Sequence, residues 1–207
     1  MKKGFFLSFE GIDGCGKSTQ VKLLQRALER KGHHVRTFRE PGSSRIGRQV
    51  RKILLDPKNT SITKKAEGTL FMAVECQNVE EILLPALKKG YVVIADRFYD
   101  SSRAFQHSVR GVPMQVLDTL KIVLVGSIEP QITFLLDLPT KVSVERSRKR
   151  DHGGDRIERE SLRHHEKARR AFLSLAKKYP RRIKVIDATK SIQGIHKEVM
   201  KVINRYL

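Results

Sequence analysis

Acidic residues and long apolar runs are both scarce in this chain. Its 207 residues hold 22 Asp and Glu against 42 Lys and Arg, which gives a formal net charge of +20 at pH 7. A membrane-spanning helix needs about 20 consecutive apolar residues, and the longest apolar candidate, 120–126, is far shorter. The apolar residues near the N-terminus run directly into a glycine-rich loop, so we do not expect a secretory signal there. The sequence therefore predicts neither a membrane protein nor a secreted one.

Cysteine is also scarce, and the two cysteines, Cys15 and Cys76, suggest a reducing compartment, which we take to be the cytoplasm. Cys15 lies inside the glycine-rich loop, where a structural disulfide would obstruct ligand binding. The spacing of cysteines and histidines does not match a zinc site. The adjacent pair His164-His165 points to two different helix faces, and we expect it to be solvated rather than to bind metal.

Aromatic residues make up only 6% of the chain and are not interleaved with the basic ones. That pattern does not favour nucleic-acid binding, although a pI of about 10.3 implies anionic partners. We interpret most of the positive charge as a lysine-rich solvated surface. Nucleotides are the expected anionic partner.

Strand and helix patterns alternate from one end of the chain to the other. The predicted strands are 5–9, 35–38, 91–95, 132–138 and 183–186, and the predicted helices are 17–31, 44–55, 62–89, 114–125, 140–150, 158–178 and 191–206. Such alternation indicates a parallel sheet with helices on both faces. No repeat or linker interrupts it, so we predict an α/β fold with five parallel strands, forming one domain over residues 1–207.

The most informative stretch is a phosphate-binding loop. Residues 11–18, GIDGCGKS, fit G-x-x-x-x-G-K-[ST] between an apolar strand and an amphipathic helix. Glycines let backbone N–H groups approach phosphate oxygens, and the helix N-terminus faces the anion. We expect Lys17 to reach the β- and γ-phosphates and Ser18 to hold Mg²⁺. The predicted ATP-binding residues are Gly11, Ile12, Asp13, Gly14, Cys15, Gly16, Lys17, Ser18 and Thr19.

Two further segments follow predicted strands and should face the same crevice at the carboxyl edge of the sheet. Asp96 is the last residue of an apolar strand and is the second predicted metal ligand. The guanidinium of Arg97, the next residue, can donate two parallel hydrogen bonds to phosphate oxygens. The loop Arg39-Glu40-Pro41-Gly42 follows another strand and is placed to touch a second substrate, although this signal is weak on its own.

Residues 146–159 are too polar to form a buried segment, because they hold five Arg, one Lys and a Gly-Gly pair with a single apolar residue. We predict a mobile lid that joins two helices and brings positive charge over the phosphates while excluding water. The arginines at 146, 148 and 150 cannot share one helix face, so only one or two should touch substrate. Arg150 and Arg156 are the predicted catalytic residues of this lid, together with Lys17 and Arg97.

Together these motifs resemble the thymidylate kinase family of P-loop nucleoside monophosphate kinases. The matching segments, in family order over nearly the whole chain, are FEGIDGCGKSTQ, FREPGSS, LFMAVECQNVEEILLPAL, VVIADRFYDSSRAFQ, TFLLDLP, RSRKRDHGGDRIE and VIDA. The arginine-rich lid and the phosphate loop, whose interior carries no lysine or arginine, are similar to the family's bacterial type. The resemblance implies a P-loop NTPase fold, ATP as phosphoryl donor, Mg²⁺, dTMP as acceptor and a homodimer.

The resemblance also implies the roles of individual residues. Arg97 and Arg51 would hold the monophosphate, Phe71 would stack on the base, and Asp13 would accept from the sugar 3′-hydroxyl. The predicted substrate-binding residues are Asp13, Glu40, Arg51, Phe71, Glu75, Arg97, Ser102, Phe105 and Gln106. Ser102 and Gln106 would lie around base and sugar, with Phe105 near the sugar 2′ position.

Glu75 departs from the family pattern, since it stands where relatives carry an Arg that reads the base. A carboxylate cannot donate to thymine O4, so a kinase for another nucleoside monophosphate, with an amino-bearing base such as cytosine, is the first alternative. The second alternative is a basic P-loop ATPase or nucleic-acid-binding module, which only the net charge favours. The prediction is phosphorylation of dTMP to dTDP with ATP and Mg²⁺.

Overall fold

A computed structural model describes residues 4–150, 155–157 and 160–207, with the side chains of 147–150 left undescribed. Its centre is a sheet of five parallel strands in the order β2-β3-β1-β4-β5. The strands are β1 (Phe5–Glu10), β2 (Val35–Arg39), β3 (Val92–Asp96), β4 (Ile132–Asp137) and β5 (Ile183–Asp187). The predicted number, order along the chain and parallel direction of the strands are confirmed.

Helices cover both faces of the sheet, as predicted. They are α1 (Lys17–Arg30), α2 (Arg45–Leu55), α3 (Lys64–Asn78), α4 (Leu84–Lys88), α5 (Tyr99–Ser101), α6 (Met114–Leu124), α7 (Thr140–Arg150), α8 (Leu162–Lys178) and α9 (Ile192–Ile203). A π-helical turn, Val79–Leu83, joins α3 to α4, and a second π-helical segment, Ser102–Val109, continues α5. None of the helices among the described residues has the length and apolar character that crossing a membrane requires.

Alternating strand side chains divide the core between the two faces. Leu7 and Phe9 of β1 pack with α1 and α9, whereas Phe6, between them in sequence, packs with α3, α4 and α6. A smaller cluster holds α8 against β4 and β5 through Phe172. Burial on both faces explains why the strands are continuously apolar.

Helix α7 ends at Arg150, as predicted, so the first residues of the predicted lid are helical. Residues 151–154 and 158–159 of the lid lie outside the described part of the chain. Two other regions differ from the sequence predictions. Helix α8 begins at Leu162 rather than at 158, because the Ser161 side chain caps it by accepting from the His164 amide at 3.3 Å. The helical segment 99–109 was not predicted, since no apolar periodicity marks it.

Candidate active site

The phosphate loop connects β1 to α1 at the carboxyl edge of the sheet. Gly11, Gly14 and Gly16 all have positive φ angles, of 135°, 79° and 99°. A Cβ on Gly11 would lie 2.6 Å from the Leu136 carbonyl oxygen, so only glycine fits there. Helix α1 begins at Lys17, and its unpaired N–H groups therefore face the interior of the loop.

Lys17 lies across this loop. Its ammonium donates to the carbonyl oxygens of Gly11 at 3.1 Å and Ile12 at 2.9 Å, and it lies 3.6 Å from the Cys15 Sγ. The side chain is only 7% exposed. Its positive charge is therefore held at the loop by backbone carbonyls before any phosphate binds.

Ser18 and Asp96, the two predicted metal ligands, are brought together by α1 and β3. The Ser18 hydroxyl donates directly to the Asp96 carboxylate. Hydroxyl and carboxylate oxygens are the ligands that Mg²⁺ prefers, so this pair fits the expected ion. The described residues contain no cluster of three or more His, Cys, Asp or Glu that would form a complete protein-only site.

A cleft opens beside the phosphate loop on the side of α9. It is lined by Gly14, Cys15, Gly16, Thr19, Gln20, Arg146, Thr189, Lys190, Ser191, Ile192 and Ile195. Arg146 is held there by a 3.3 Å hydrogen bond to the Ala188 carbonyl oxygen. The first lid arginine thus lies next to the phosphate loop, as the sequence predicted for the lid.

A second cavity lies next to Asp13 and Arg97 and shares no lining residue with the first cleft. Its lining combines four arginines with four acidic residues and two phenylalanines from α3 and the second π-helical segment. The residues are Asp13, Arg39, Glu40, Pro41, Arg51, Glu67, Phe71, Arg97, Phe98, Ser101, Ser102, Phe105, Gln106, Arg110, Asp155, Ile157 and His164. An enclosed cavity with aromatic walls and several guanidinium groups suits a phosphorylated ligand with a flat ring.

Arg97 connects the cavity to the phosphate loop. Its guanidinium donates to the Gly11 carbonyl oxygen at 2.8 Å, to Ser101 Oγ at 3.1 Å and to Asp13 Oδ1 at 2.6 Å. It also lies 5.1 Å from the centre of the Phe105 ring. The residue adopts a left-handed φ of 75°, which is rare outside glycine and which turns the side chain back over the loop.

The Asp13–Arg97 pair remains charged. Burial raises the pKa of the Asp13 carboxyl, but Arg97 and Lys17 outweigh burial and hold that pKa below its usual range. A carboxylate accepts hydrogen bonds and cannot donate them. Asp13 can therefore receive a ligand hydroxyl while it orients Arg97.

Two further arginines approach the mouth of the cavity. The Arg51 guanidinium donates to the Pro41 carbonyl oxygen at 2.8 Å. Burial and the nearby Arg39 charge lower the pKa of Arg51. Two guanidinium groups that repel each other would be stabilised by an anion between them. The sequence placed Arg39 in the loop after β2 without a role of its own. The structure adds that Arg39 lines the cavity.

The remaining predicted acceptor-side residues, apart from Glu75, also reach the cavity. Phe71, Ser102, Phe105 and Gln106 all line it, and Glu40 lies at its edge. Gln106 is 3% exposed, and its Oε1 has no hydrogen-bond partner among the described residues. A buried acceptor without a partner costs free energy, so the Gln106 side chain is a candidate for polar contact with a ligand.

Glu75 does not line the cavity, contrary to the sequence-based expectation that it faces the base. It is fully buried on the core side of α3, and neither carboxylate oxygen has a partner among the described residues. Burial and the Glu10 charge raise its pKa to about 8. Its neighbour Glu40 likewise has a raised pKa, because of burial and the charge of Glu75. Glu75 is therefore a protonated core residue at neutral pH and not a base-reading group in this structure.

The structure describes the side chain of only one of the two predicted catalytic lid arginines, Arg156. Arg150 ends α7, and its side chain lies outside the described residues. The Arg156 guanidinium bonds the Leu54 carbonyl oxygen at 2.8 Å and the Glu67 carboxylate at 2.5 Å, on the acceptor side. The structure thus places Arg156 at the second cavity and not over the donor.

Sequence reasoning missed three polar groups of this site. Glu10, at the end of β1, accepts from the Phe98 amide at 2.7 Å and from Ser101 Oγ at 2.6 Å, and so holds the turn that carries Arg97. Glu67 and Arg110 form an ion pair at 2.9 Å in the cavity wall. The only signal in the sequence was that Glu67 lies one helical turn before Phe71, and therefore on the same face of α3 as the predicted base-stacking residue.

The expectation that His164 and His165 are solvated is wrong. They are 7% and 3% exposed, because α8 packs against the π-helical segment 102–109. His164 lines the cavity with its ring 6.2 Å from that of Phe105, and burial lowers its pKa to about 4. It is therefore a neutral part of the cavity wall at pH 7.

Comparisons with known proteins agree with this geometry. The family model described as Thymidylate kinase matches residues 9–199. The thymidylate kinase of Thermoanaerobacter sp. (strain X514) is 39% identical over 205 residues, which cover 99% of this chain and 100% of that protein. The thymidylate kinase of Kosmotoga olearia is 45% identical over 196 residues, which cover 95% of this chain and 93% of that protein.

Among solved structures, the crystal structure of thymidylate kinase from Ehrlichia chaffeensis superposes with a TM-score of 0.79 at 30% identity. It covers 97% of this chain, and this chain covers 99% of that one. A match of sequence and fold over the full length of both chains is more specific than a shared phosphate loop. This chain belongs to the thymidylate kinase family.

Proposed function

We propose that this protein transfers the γ-phosphoryl group of ATP to dTMP, giving dTDP and ADP. The observation that carries the proposal is the position of the Asp13–Arg97 pair, bonded at 2.6 Å between a phosphate loop and an enclosed, aromatic-lined cavity. A donor site and an acceptor site that share one arginine are what direct phosphoryl transfer needs, because the reacting groups must be held in line. Family membership supports the choice of ATP and dTMP.

The phosphate loop is the proposed donor site. Residues 11–19 would cradle the ATP phosphates with backbone N–H groups, and the Lys17 ammonium would move from the loop carbonyls to the β- and γ-phosphate oxygens. The cleft along α9, with Arg146 in its wall, would take the adenosine part of ATP.

Ser18 and Asp96 would hold Mg²⁺, Ser18 directly and Asp96 directly or through water. The ion would supply positive charge that offsets the negative charge developing on the phosphate oxygens. The hydrogen bond from Ser18 to Asp96 shows that the two oxygen ligands lie side by side.

The second cavity is the proposed acceptor site. Arg97 would bind the dTMP phosphate together with Arg51 and Arg39, and Asp13 would accept from the 3′-hydroxyl. Phe71 would stack on the thymine ring. Gln106, Ser102, Phe105 and Glu40 would surround base and sugar. The Gln106 amide would contribute hydrogen bonds to the base, since amide groups can both donate and accept.

An ADP-release assay with ATP and the acceptors dTMP, dUMP, dCMP, UMP and dGMP tests this proposal. We expect dTMP to be the best acceptor and the release of ADP to require an acceptor. A protein active with dCMP but inert with dTMP would overturn the substrate. ADP release that is independent of any acceptor would instead indicate an ATPase. Since Glu75 lies outside the cavity, it no longer argues for an amino-bearing base.

We further propose a homodimer that works in the cytoplasm, where both nucleotides occur. Val116 and Val123 lie on one side of α6 and are 47% and 74% exposed, and the neighbouring Ile122 is 68% exposed. Exposed branched side chains of this kind suit contact with a second copy. Sedimentation velocity should show a dimer that Val123→Asp converts to a monomer. A monomeric wild type would contradict the proposal.

A further inference from the structure

Glu67 is a buried carboxylate between two arginines from distant parts of the chain. It is 2% exposed. Its Oε1 accepts from Arg110 Nε at 2.9 Å, and its Oε2 accepts from Arg156 Nη2 at 2.5 Å and from Arg110 Nη2 at 3.4 Å. Burial raises the pKa of Glu67, but the hydrogen bonds of Arg110 and Arg156 outweigh burial and hold that pKa below its usual value. The carboxylate is therefore ionised and is a charged link between the two arginines.

Each arginine ties another segment to this link. The Arg156 amide donates to the Leu55 carbonyl oxygen at 3.0 Å and its Nε to the Leu54 carbonyl oxygen at 2.8 Å, which fastens residues 155–157 to the end of α2. Arg110 also bonds Glu160 at 2.6 Å, directly before α8. Glu67 thus joins α3, the segment 155–157 and the start of α8 around one side of the cavity.

This link determines the shape of the acceptor cavity. Asp155 and Ile157, on either side of Arg156, both line the cavity, as do Glu67 and Arg110 themselves. Without Glu67, two guanidinium groups that are each about one-eighth exposed would lose their shared counter-charge. Their mutual repulsion would then push residues 155–157 away from the cavity.

We propose that Glu67 is a positioning residue for the acceptor nucleotide, and that Arg156 acts with it on the acceptor side rather than on ATP. The inference rests on the proposed function, since it takes the second cavity as the nucleoside monophosphate site. It goes beyond that function because it assigns the affinity for the acceptor nucleotide in part to an ion-pair link. This link acts by holding the cavity wall in place and does not contact the nucleotide directly. It also reverses the role expected for Arg156 from the sequence.

The kinetic test compares Glu67→Gln, Arg156→Gln and the double variant with wild type. Each single variant should raise the KM for dTMP about tenfold, because a buried charged hydrogen bond is lost, while the KM for ATP stays within about twofold. The double variant should be no worse than the single ones, because both remove the same link. The matched controls are Glu81→Gln and Arg163→Gln at exposed positions, which should change neither KM.

Two kinetic outcomes would overturn the proposal. If Arg156→Gln lowers kcat or raises the KM for ATP with the KM for dTMP unchanged, Arg156 serves the donor. If the two substitutions have additive effects on the KM for dTMP, the residues do not act through one link.

A second readout needs no substrate and separates this proposal from the proposed function. Hydrogen exchange of the Arg156 amide, which bonds Leu55, should be about tenfold faster in Glu67→Gln than in wild type or Glu81→Gln. Unchanged exchange would contradict the link whatever the substrate is. Faster exchange in a protein that does not phosphorylate dTMP would leave the link standing and reject only the assigned acceptor.

Discussion

The donor and acceptor sites lie on either side of the Asp13–Arg97 pair and are built in different ways. The donor loop is nine consecutive residues, 11–19, between one strand and one helix, and its shape comes from glycine backbone angles and a helix N-terminus. The acceptor cavity draws on the loops after β1, β2 and β3, on α2, α3 and α8, on the second π-helical segment and on residues 155–157. Backbone geometry therefore determines the shape of the donor loop, whereas the tertiary packing of side chains determines the shape of the acceptor cavity.

This difference predicts how each site responds to substitution. A change in the donor loop should affect chemistry and ATP, whereas a change in the cavity should affect the monophosphate and its fit. The following substitutions test that separation, beginning with the largest expected effect.

Lys17→Ala should lower kcat by about 100-fold or more, because the transferring phosphoryl group loses its closest positive charge. The fold should be kept, since the hydrogen bonds of the Lys17 ammonium are made to its own loop and do not join separate elements. Steady-state kinetics and a thermal melt check both statements, with exposed Lys22→Ala on the same helix as control. A variant that keeps more than about a tenth of wild-type turnover would show that Lys17 does not have this role.

Arg97→Ala should weaken the monophosphate far more than ATP. Loss of a guanidinium that pairs with phosphate and with Asp13 should cost about 2–5 kcal/mol in acceptor binding. Arg97→Lys should recover part of this loss, because it keeps the charge without the fork. Values of KM for both substrates measure the effect, and equal weakening of ATP and dTMP would move Arg97 to the donor site.

Glu75→Gln should leave acceptor preference unchanged and alter the pH dependence of stability. The folded pKa of Glu75 is about 8, against an ordinary value of 4.5. Between these values the folded protein keeps a proton that the unfolded chain releases, so wild-type stability falls as pH rises through this window and levels off above it. Relative to Glu75→Gln, wild type should lose about 1.4 kcal/mol of unfolding free energy for each pH unit within this window.

Urea unfolding at several pH values measures this difference, with Glu81→Gln as the exposed control. A constant difference between wild type and Glu75→Gln across the window would show that Glu75 is not a buried protonated carboxyl. A shift from dTMP to dCMP in the variant would return Glu75 to the base site.

The contrast between the two sites also explains what could be predicted from sequence. The loop 11–19, Ser18 and Asp96 were predictable because a contiguous motif follows a strand whose end must lie at the sheet edge. Arg97 was placed at the crevice by its position after β3 and by its guanidinium group. Phe71 and Gln106 were placed at the cavity only through the resemblance, because no local pattern joins α3 to the segment after β3.

The errors in prediction arose where packing decides the orientation of a helix. Glu75 is one turn from Phe71, yet the roll of α3 about its axis turns it to the core. His164 and His165 are buried by the second π-helical segment, which the apolar periodicity of the sequence did not predict. The partner of Arg156 is Glu67, 89 residues away, and a charge-rich segment alone does not identify such a partner.

The most direct test of two separate sites, with Lys17 in the donor loop and Arg97 in the acceptor cavity, is a calorimetric titration of Lys17→Ala and Arg97→Ala with dTMP and with a non-hydrolysable ATP analogue. We predict a crossed pattern. Lys17→Ala should weaken the ATP analogue by more than about tenfold and leave dTMP within about twofold, and Arg97→Ala should do the reverse. Variants that each weaken both ligands to the same extent would contradict the account.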